Sequence, residues 1–166
     1  MAEHTGDDPG RIEALFAAQA GYATPKLGVR GAVFDPDGRI LMVRETADDN
    51  LWTLPGGWAE VNQTAAESVV REVFEESGYI VRATKLAAAW DKAKQTRLPT
   101  PFSITTLFFL CALEGGGPQT SLETSEVGWF AQDALPTDLS LRRTTPRALD
   151  RMFAHWREPG LPTEFD

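Results

Sequence analysis

The chain has 166 residues, of which 42% are hydrophobic and 24% are charged, as in an ordinary globular protein with one domain. The formal net charge of −8 argues against a duplex nucleic acid partner, because such a partner requires a basic surface. The longest uninterrupted apolar run, residues 107–113, is too short to span a bilayer. We therefore expect no membrane partner.

The single cysteine, Cys111, lies inside this apolar run, so we interpret it as a small buried hydrophobic residue. One cysteine cannot form a disulfide within the chain, and the acidic residues 2–8 are unlike a secretory signal. Both observations predict a cytoplasmic protein.

The first predicted element is a short helix that starts at Asp8-Pro9 and ends at Gly21. Ile12, Leu15 and Phe16 share one face of it. We expect residues 1–25 to form an N-terminal helical segment outside the main domain, where the apolar face could serve a homodimer.

Strands and a final helix account for most of the remaining chain. The predicted strands are Gly28 to Phe34, Arg39 to Arg44, Val81 to Trp90, Ser103 to Leu113 and Val127 to Phe130. A basic loop, residues 91–97, follows the third strand, and a helix begins at Thr145-Pro146. Strands on both sides of a central helix predict an α/β fold with a mixed sheet covered on two faces.

The central helix is predicted from its ends. Thr64 and Glu67 have the spacing of a capping box, and Gly78 is a typical residue just beyond a helix. Val69 and Val73 supply an apolar stripe between them.

Glu72, Glu75 and Glu76 lie at spacings of three and four, so a helix brings them to one face. Crowded carboxylates repel one another unless a cation lies among them, and ligands that are all oxygen suit Mg²⁺ or Mn²⁺. The alternative is a solvated acidic face. The loop Leu54-Pro55-Gly56-Gly57, which precedes the helix, favours the metal site.

Residues 57–78 resemble the Nudix box. The pattern of this box is a Gly, five residues of any kind, a Glu, seven residues of any kind, and then Arg-Glu-apolar-x-Glu-Glu-x-Gly-apolar. The positions that match are Gly57, Arg71, Glu72, Val73, Glu75, Glu76 and Gly78. Two positions depart, because Gln63 replaces the first Glu and Tyr79 replaces an aliphatic residue. The resemblance implies a Nudix α/β/α sandwich with a mixed central sheet over residues 26–157, followed by a C-terminal tail, 158–166.

The resemblance also implies the chemistry, which is metal-dependent hydrolysis of the diphosphate bond in a nucleoside diphosphate linked to another group. Its metal ligands would be Glu72, Glu75, Glu76 and the carbonyl of Gly57, binding Mg²⁺ or Mn²⁺. Arg71 would orient the carboxylates, and Gln63 can still accept a hydrogen bond from Arg71.

The resemblance leaves two sources for the general base. It is either a glutamate of the box or one from a later loop, where Glu123 and Glu126 are the candidates. The alternative for this loop is a hydrophilic turn with two solvated carboxylates.

Four residues are candidates for binding the substrate. Arg44 ends the second strand, Trp58 follows the two glycines, Lys92 lies in the basic loop and Phe102 precedes the long strand. Aromatic faces stack on any base, and basic side chains attract phosphate. Ordinary packing and surface solvation are the alternatives for each.

Several stretches resemble the Nudix subgroup of bacterial CDP-choline pyrophosphatase, among them residues 55–58, 75–79, 107–111 and 123–130. This resemblance suggests hydrolysis of CDP-choline to CMP and phosphocholine, with ADP-ribose and other nucleoside diphosphate sugars as alternatives. A non-catalytic nucleotide sensor is the rival interpretation. An isopentenyl diphosphate isomerase is disfavoured by the apolar surroundings of Cys111, and a histidine-assisted hydrolase by the positions of His4 and His155.

Overall fold

The computed structural model describes residues 8–17, 24–96 and 100–166. In chain order its elements are α1 (Pro9–Phe16), β1 (Lys26–Val33), β2 (Ile40–Glu45), β3 (Leu51–Thr53), α2 (Ala65–Ser77), β4 (Tyr79–Asp91), α3 (Lys92–Gln95), β5 (Ile104–Gly116), β6 (Thr124–Phe130), α4 (Pro146–Arg157) and β7 (Glu164–Phe165). Short 3-10 helices span Thr46–Asp48 and Gln132–Ala134.

The strands form two sheets. The first is mixed and has the order β1-β5-β4-β7, with β1 parallel to β5 and β4 antiparallel to it. The second is antiparallel and has the order β3-β2-β6. The α/β fold with a mixed sheet is therefore confirmed, and a second sheet accompanies it.

Helices α2 and α4 cover the sheets with separate apolar clusters. Val69 and Val73 of α2 pack with Val29 and Val33 of β1. The α4 side chains pack in the other cluster with residues of both sheets; this cluster includes Ile40, Met42, Trp52, Trp90, Phe108, Leu149, Met152 and Phe153. Because side chains of β1 alternate between the two clusters, the strands lie between the helices as layers.

The ends of α2 follow the predicted capping. The Thr64 hydroxyl accepts a hydrogen bond from the Glu67 N–H at 3.2 Å, and the Glu67 carboxylate accepts one from the Thr64 N–H at 2.8 Å. Gly78 has a φ of 77° and closes the helix, because glycine adopts this left-handed conformation without strain. The predicted capping box is confirmed.

Other boundaries differ from the predictions. Thr124–Glu126 belong to β6 rather than to a preceding loop, and the basic loop begins with the single turn α3. Residues 158–166 were predicted to be a tail, yet Glu164–Phe165 pair in parallel with Ala88–Ala89 of β4. Gly21, the predicted end of the first helix, lies outside the described residues.

Within the described ranges, no helix combines the length and apolar character needed to cross a membrane.

Candidate active site

The loop Leu54-Pro55-Gly56-Gly57 is fastened along β1. The N–H of Val29 donates to the Gly57 carbonyl at 2.9 Å, and the N–H of Gly31 donates to the Pro55 carbonyl at 2.8 Å. Gly56 has a φ of 144°, and a Cβ there would collide with the carbonyl of Val29. This close approach of two backbones requires glycine.

The buried side chain of Arg30 holds the same loop by hydrogen bonds. This side chain is only 7% exposed, and its Nη1 donates to the carbonyls of Leu54 at 3.0 Å and Gly56 at 2.5 Å. Burial lowers the pKa of this guanidinium, although Glu76 opposes the shift. Sequence reasoning missed Arg30, and the available signal was a charged residue in an otherwise apolar strand.

Glu76 and Glu72 face this loop from α2. The carboxylate of Glu76 is buried and accepts a hydrogen bond from the Gly56 N–H at 2.8 Å. Burial raises its pKa to about 7, more than Arg30 lowers it. Glu72 lies so close to Gly57 that a Cβ there would come within 2.6 Å of the Glu72 Oε2 atom, and burial raises its pKa also.

Arg71 forms ion pairs with two carboxylates of α2. It bonds Glu72 at 2.8 Å and Glu75 at 2.6 Å, and its Nε donates to the amide oxygen of Gln63 at 3.4 Å. The Glu75 side chain is 54% exposed. Gln63 thus contacts Arg71 as the sequence suggested, without contributing a charge.

A cleft of about 530 Å³ opens beside these residues, and its lining carries charges of both signs. Its acidic lining residues are Glu45, Asp48, Glu60, Glu72, Glu76 and Glu123, its basic ones are Arg30, Lys92, Arg142 and Arg143, and its aromatic ones are Trp58, Trp90 and Phe108. Carboxylates that could hold cations therefore share one cavity with side chains that could hold anions.

Glu45 and Asp48 form a second acidic group at the end of β2. Arg143 contacts the Glu45 Oε1 atom at 2.6 Å and Asp48 at 3.4 Å. The other oxygen of Glu45 is buried without a hydrogen-bond partner among the described residues, and burial raises the pKa of this carboxyl. Such an unpaired acceptor is costly, so a bound ligand or cation would compensate it. Sequence reasoning missed Glu45, Asp48, Arg142 and Arg143.

Lys92 faces the cleft from α3. It is half-buried, and none of the ion pairs found among the described residues involves it. Burial lowers the pKa of its amine, and the charges of Arg30, Arg143 and Arg142 lower it further. These cations converge on one wall, which favours an anionic ligand there.

The structure brings together six of the residues predicted from the sequence, because Gly57, Trp58, Glu72, Glu76, Lys92 and Glu123 all line the cleft. Glu75 and Arg71 lie beside it and are not in its lining.

The remaining candidates, Arg44, Glu126 and Phe102, lie elsewhere. Arg44 and Glu126 are register partners across β2 and β6, 3.8 Å apart, and Arg44 also pairs with Asp138. Alternation along β2 turns Glu45 toward the cleft and Arg44 away from it. The Phe102 ring packs on Phe16 with centroids 5.6 Å apart. These positions correct the expectation that the three residues line the site.

A divalent cation fits the donors that the cleft presents. Among residues 8–17, 24–96 and 100–166, no three Asp, Glu, His or Cys side chains already surround one ion position. The donors at the glycine loop are nevertheless all oxygen, which suits Mg²⁺ or Mn²⁺. The raised pKa of Glu76 and the unpaired oxygen of Glu45 are both features that a bound cation would relieve.

An α/β layered protein with carboxylates on a helix, a glycine loop against them and basic side chains in the same cleft can bind an anion with the help of cations. Residues 24–152 match the model of the NUDIX domain. The chain belongs to the Nudix family, as its box predicted, and it is a pyrophosphohydrolase. Nudix hydrolases generally use a divalent metal.

Similar proteins agree on the family. YjhB of Bacillus subtilis, whose name provisionally assigns it as an ADP-ribose pyrophosphatase, is 40% identical over all of this chain and 78% of its own length. A crystal structure of an ADP-ribose pyrophosphatase from Streptococcus suis is 40% identical with a TM-score of 0.77, covering 86% of this chain and all of that one. The structure of a UDP-X diphosphatase is 27% identical with a TM-score of 0.78, covering 96% of this chain and 76% of that one.

Proposed function

We propose that this protein hydrolyses the diphosphate bond of a nucleoside diphosphate linked to another group, releasing a nucleoside monophosphate and a phosphorylated moiety. The observation that carries this proposal is the meeting of Glu72 and Glu76 with the Gly56-Gly57 loop in one cleft. The same cleft is lined by Lys92, Arg142 and Arg143, which we call the basic wall. ADP-ribose is the first substrate to test, because two similar proteins bear that substrate in their names. CDP-choline, suggested by the sequence, is the second.

We assign the binding of Mg²⁺ or Mn²⁺ to the carboxylates of Glu72 and Glu76 and to the carbonyl of Gly57. A bound divalent ion neutralises charge on the phosphate oxygens and lowers the pKa of a coordinated water. Glu75 is half exposed and is held by Arg71, so we assign it the smaller contribution. Arg71 pairs with Glu72 and Glu75, and Arg30 holds the loop by two of its carbonyls, so both orient the donors of this arrangement.

Glu123 is our choice for the general base, the group that accepts a proton from the attacking water. It lines the cleft, and its backbone carbonyl accepts a hydrogen bond from the Thr46 N–H at 2.8 Å, directly after Glu45. Glu126 faces Arg44 on the other side of the strand and is therefore the weaker candidate.

The substrate would lie between the basic wall and Trp58. Lys92 and Arg142 line the cleft and can pair with a phosphate. The ring of Trp58 is 52% exposed at the mouth of the same cleft, and it can stack on a nucleobase. The roles of Arg44 and Phe102 in substrate binding are not supported by their positions.

We further propose a homodimer in the cytoplasm. None of the residues of α1 is buried, and Leu15 of its apolar face is 40% exposed, so part of this face can accept a second copy. The lone Cys111 is buried, as expected of a protein without disulfides. Sedimentation equilibrium of the purified chain tests the dimer, and a monomer at tens of micromolar would contradict it.

The test of the function is hydrolysis across a panel of ADP-ribose, CDP-choline, other nucleoside diphosphate sugars, dinucleoside polyphosphates and nucleoside triphosphates. Each reaction contains Mg²⁺ or Mn²⁺, and a phosphatase releases phosphate from the products. We expect one preferred diphosphate, with a nucleoside monophosphate among its products by chromatography.

Two controls make the result decisive. Glu72→Gln removes a carboxylate of the cleft and should abolish turnover, whereas Glu114→Gln removes an exposed carboxylate that pairs with Arg82 and should not. Activity that survives exhaustive chelation would contradict the metal assignment. Tight binding of a nucleotide without any turnover would favour the sensor alternative.

A further inference from the structure

We propose that Glu164–Asp166, which we call the C-terminal clasp, positions Lys92 in the cleft and thereby sets the affinity for the phosphate of the substrate. These residues lie beyond the family match at 24–152, and no role follows for them from the Nudix box. The proposal rests on the phosphate-binding role proposed above for Lys92.

The clasp is attached to β4. Its residues Glu164 and Phe165 pair in parallel with Ala88 and Ala89. The segment that leads to it is fixed as well, since the Lys85 amine donates to the carbonyls of Pro159 at 2.9 Å and Leu161 at 2.6 Å. The clasp therefore has a defined position relative to the end of β4, where Asp91 adjoins α3.

The clasp is also attached to α4. Arg151 Nε donates to the carboxylate of Glu164 at 2.5 Å, and Nε2 of the buried His155 lies 3.2 Å from the same oxygen. One carboxylate thus joins β7 to a helix whose apolar face belongs to the core. This connection makes the clasp part of the rigid scaffold.

Asp166 connects the clasp to α3 by two hydrogen bonds. One of its oxygens accepts a hydrogen bond from the Asp91 N–H at 2.5 Å, and the other accepts one from the Gln95 Nε2 at 2.9 Å. The amide oxygen of Gln95 accepts in turn from Arg147 of α4 at 3.0 Å. Both ends of the Gln95 amide are therefore satisfied, and α3 is held at its N-cap, Asp91, and at its last residue, Gln95.

Helix α3 depends on such external bonds because it is one turn long. A single turn has no stability of its own in water, and the only capping bond from its N-cap side chain runs from the Ala93 N–H to Asp91 at 2.8 Å. Lys92 lies on the cleft side of this turn, whereas Lys94 is exposed and does not line the cleft. A loosened turn would let the Lys92 amine leave the cleft for solvent.

A double-mutant cycle in the 166-residue chain tests the proposal. The variants are Asp166→Ala, Lys92→Gln and the two combined, with Lys94→Gln and Glu158→Ala as matched controls. Glu158 is an exposed carboxylate of the same C-terminal segment, and no side-chain hydrogen bond or ion pair involves it among the described contacts. Steady-state kinetics use ADP-ribose with Mg²⁺, or the panel substrate that replaces it.

We expect Asp166→Ala to raise KM roughly fivefold, equivalent to about 1 kcal/mol, and to change kcat by less than about twofold. In the Lys92→Gln background the same substitution should add no further increase. Asp166→Asn keeps one acceptor oxygen and should fall between wild type and Asp166→Ala. The two control variants should match wild type.

Hydrogen exchange of the peptide that covers residues 91–96 supplies a readout independent of turnover. Asp166→Ala should speed exchange there while Glu158→Ala leaves it unchanged. The proposal would be overturned if Asp166→Ala left the exchange unchanged or left KM unchanged. It would also be overturned if Asp166→Ala raised KM equally in the wild-type and Lys92→Gln backgrounds.

The kinetics separate the two proposals. A KM that Lys92→Gln leaves unchanged would refute the role of Lys92, and the clasp would fail with it. A KM that rises in Lys92→Gln but not in Asp166→Ala would refute the clasp alone.

Discussion

Glu76→Gln should inactivate the enzyme and at the same time stabilise its metal-free fold at alkaline pH. The carboxyl of Glu76 is buried, and its pKa is raised from 4.5 to about 7 in the folded protein. A raised folded pKa means that the folded state binds the proton more tightly than the unfolded state does. The stability associated with this proton is complete below pH 4.5 and is lost as the pH rises through 7.

The magnitude follows from the two pKa values. A full shift of this size corresponds to about 3 kcal/mol of unfolding free energy, of which about 2.5 kcal/mol is lost between pH 5 and pH 8. Glutamine does not titrate and can still accept the hydrogen bond from Gly56. The stability advantage of Glu76→Gln over wild type should therefore widen by about 2 to 3 kcal/mol across that interval.

Urea denaturation in EDTA at pH 5, 6, 7 and 8 measures this difference, with Glu75→Gln as the control. Glu75 lies on the same helix but its side chain is 54% exposed, so its substitution is the matched control for the loss of a buried carboxyl. Adding Mg²⁺ should stabilise wild type and leave Glu76→Gln unchanged. A pH-independent difference between Glu76→Gln and wild type would refute the reasoning from burial.

Three further predictions test the geometry of the site. Glu72→Gln should lower kcat by about a hundredfold or more, since loss of a metal ligand raises the activation free energy by several kcal/mol. Glu75→Gln should lower kcat by clearly less. Similar losses in the two variants would contradict the assignment of the smaller contribution to Glu75. Gly57→Ala places a Cβ within 2.6 Å of the Glu72 carboxylate, so kcat/KM should fall at least about tenfold while the circular dichroism spectrum stays unchanged. Arg30→Met leaves two loop carbonyls without a donor, so it should lower the free energy of unfolding, measured with urea, by about 3 kcal/mol. The control Arg82→Met, at an exposed position, should lower it by less than about 1 kcal/mol. Equal losses would show that Arg30 does not hold the loop.

Local signals in the sequence predicted α2 and its glutamates well. The capping box at Thr64 and the left-handed Gly78 are each settled by a few neighbouring residues, and such interactions can be read from spacing. The same is true of α4, which begins at Pro146 after the N-cap Thr145 as predicted.

Long-range pairing was not visible in the sequence. The end of β2 meets the loop before α4, and this contact brings Glu45 to Arg143, 98 positions away in the chain. Glu126 was assigned to a loop that precedes a strand starting at Val127, yet pairing with β2 extends β6 back to Thr124. A strand of this kind is decided by its partner rather than by its own composition.

The mixture of charges in the cleft explains how a chain with net charge −8 can bind a diphosphate. The carboxylates of the cleft repel an anion unless cations occupy them, and of the basic side chains Lys92, Arg142 and Arg143 the last is already paired with Glu45 and Asp48. Substrate affinity should therefore depend on the metal, and metal affinity should rise by the same factor when substrate is bound. A substrate analogue that cannot be hydrolysed should bind more weakly in EDTA than in Mg²⁺, and Lys92→Gln should weaken it in both. Binding that is equally tight with and without the metal would mean that the basic wall alone carries the diphosphate.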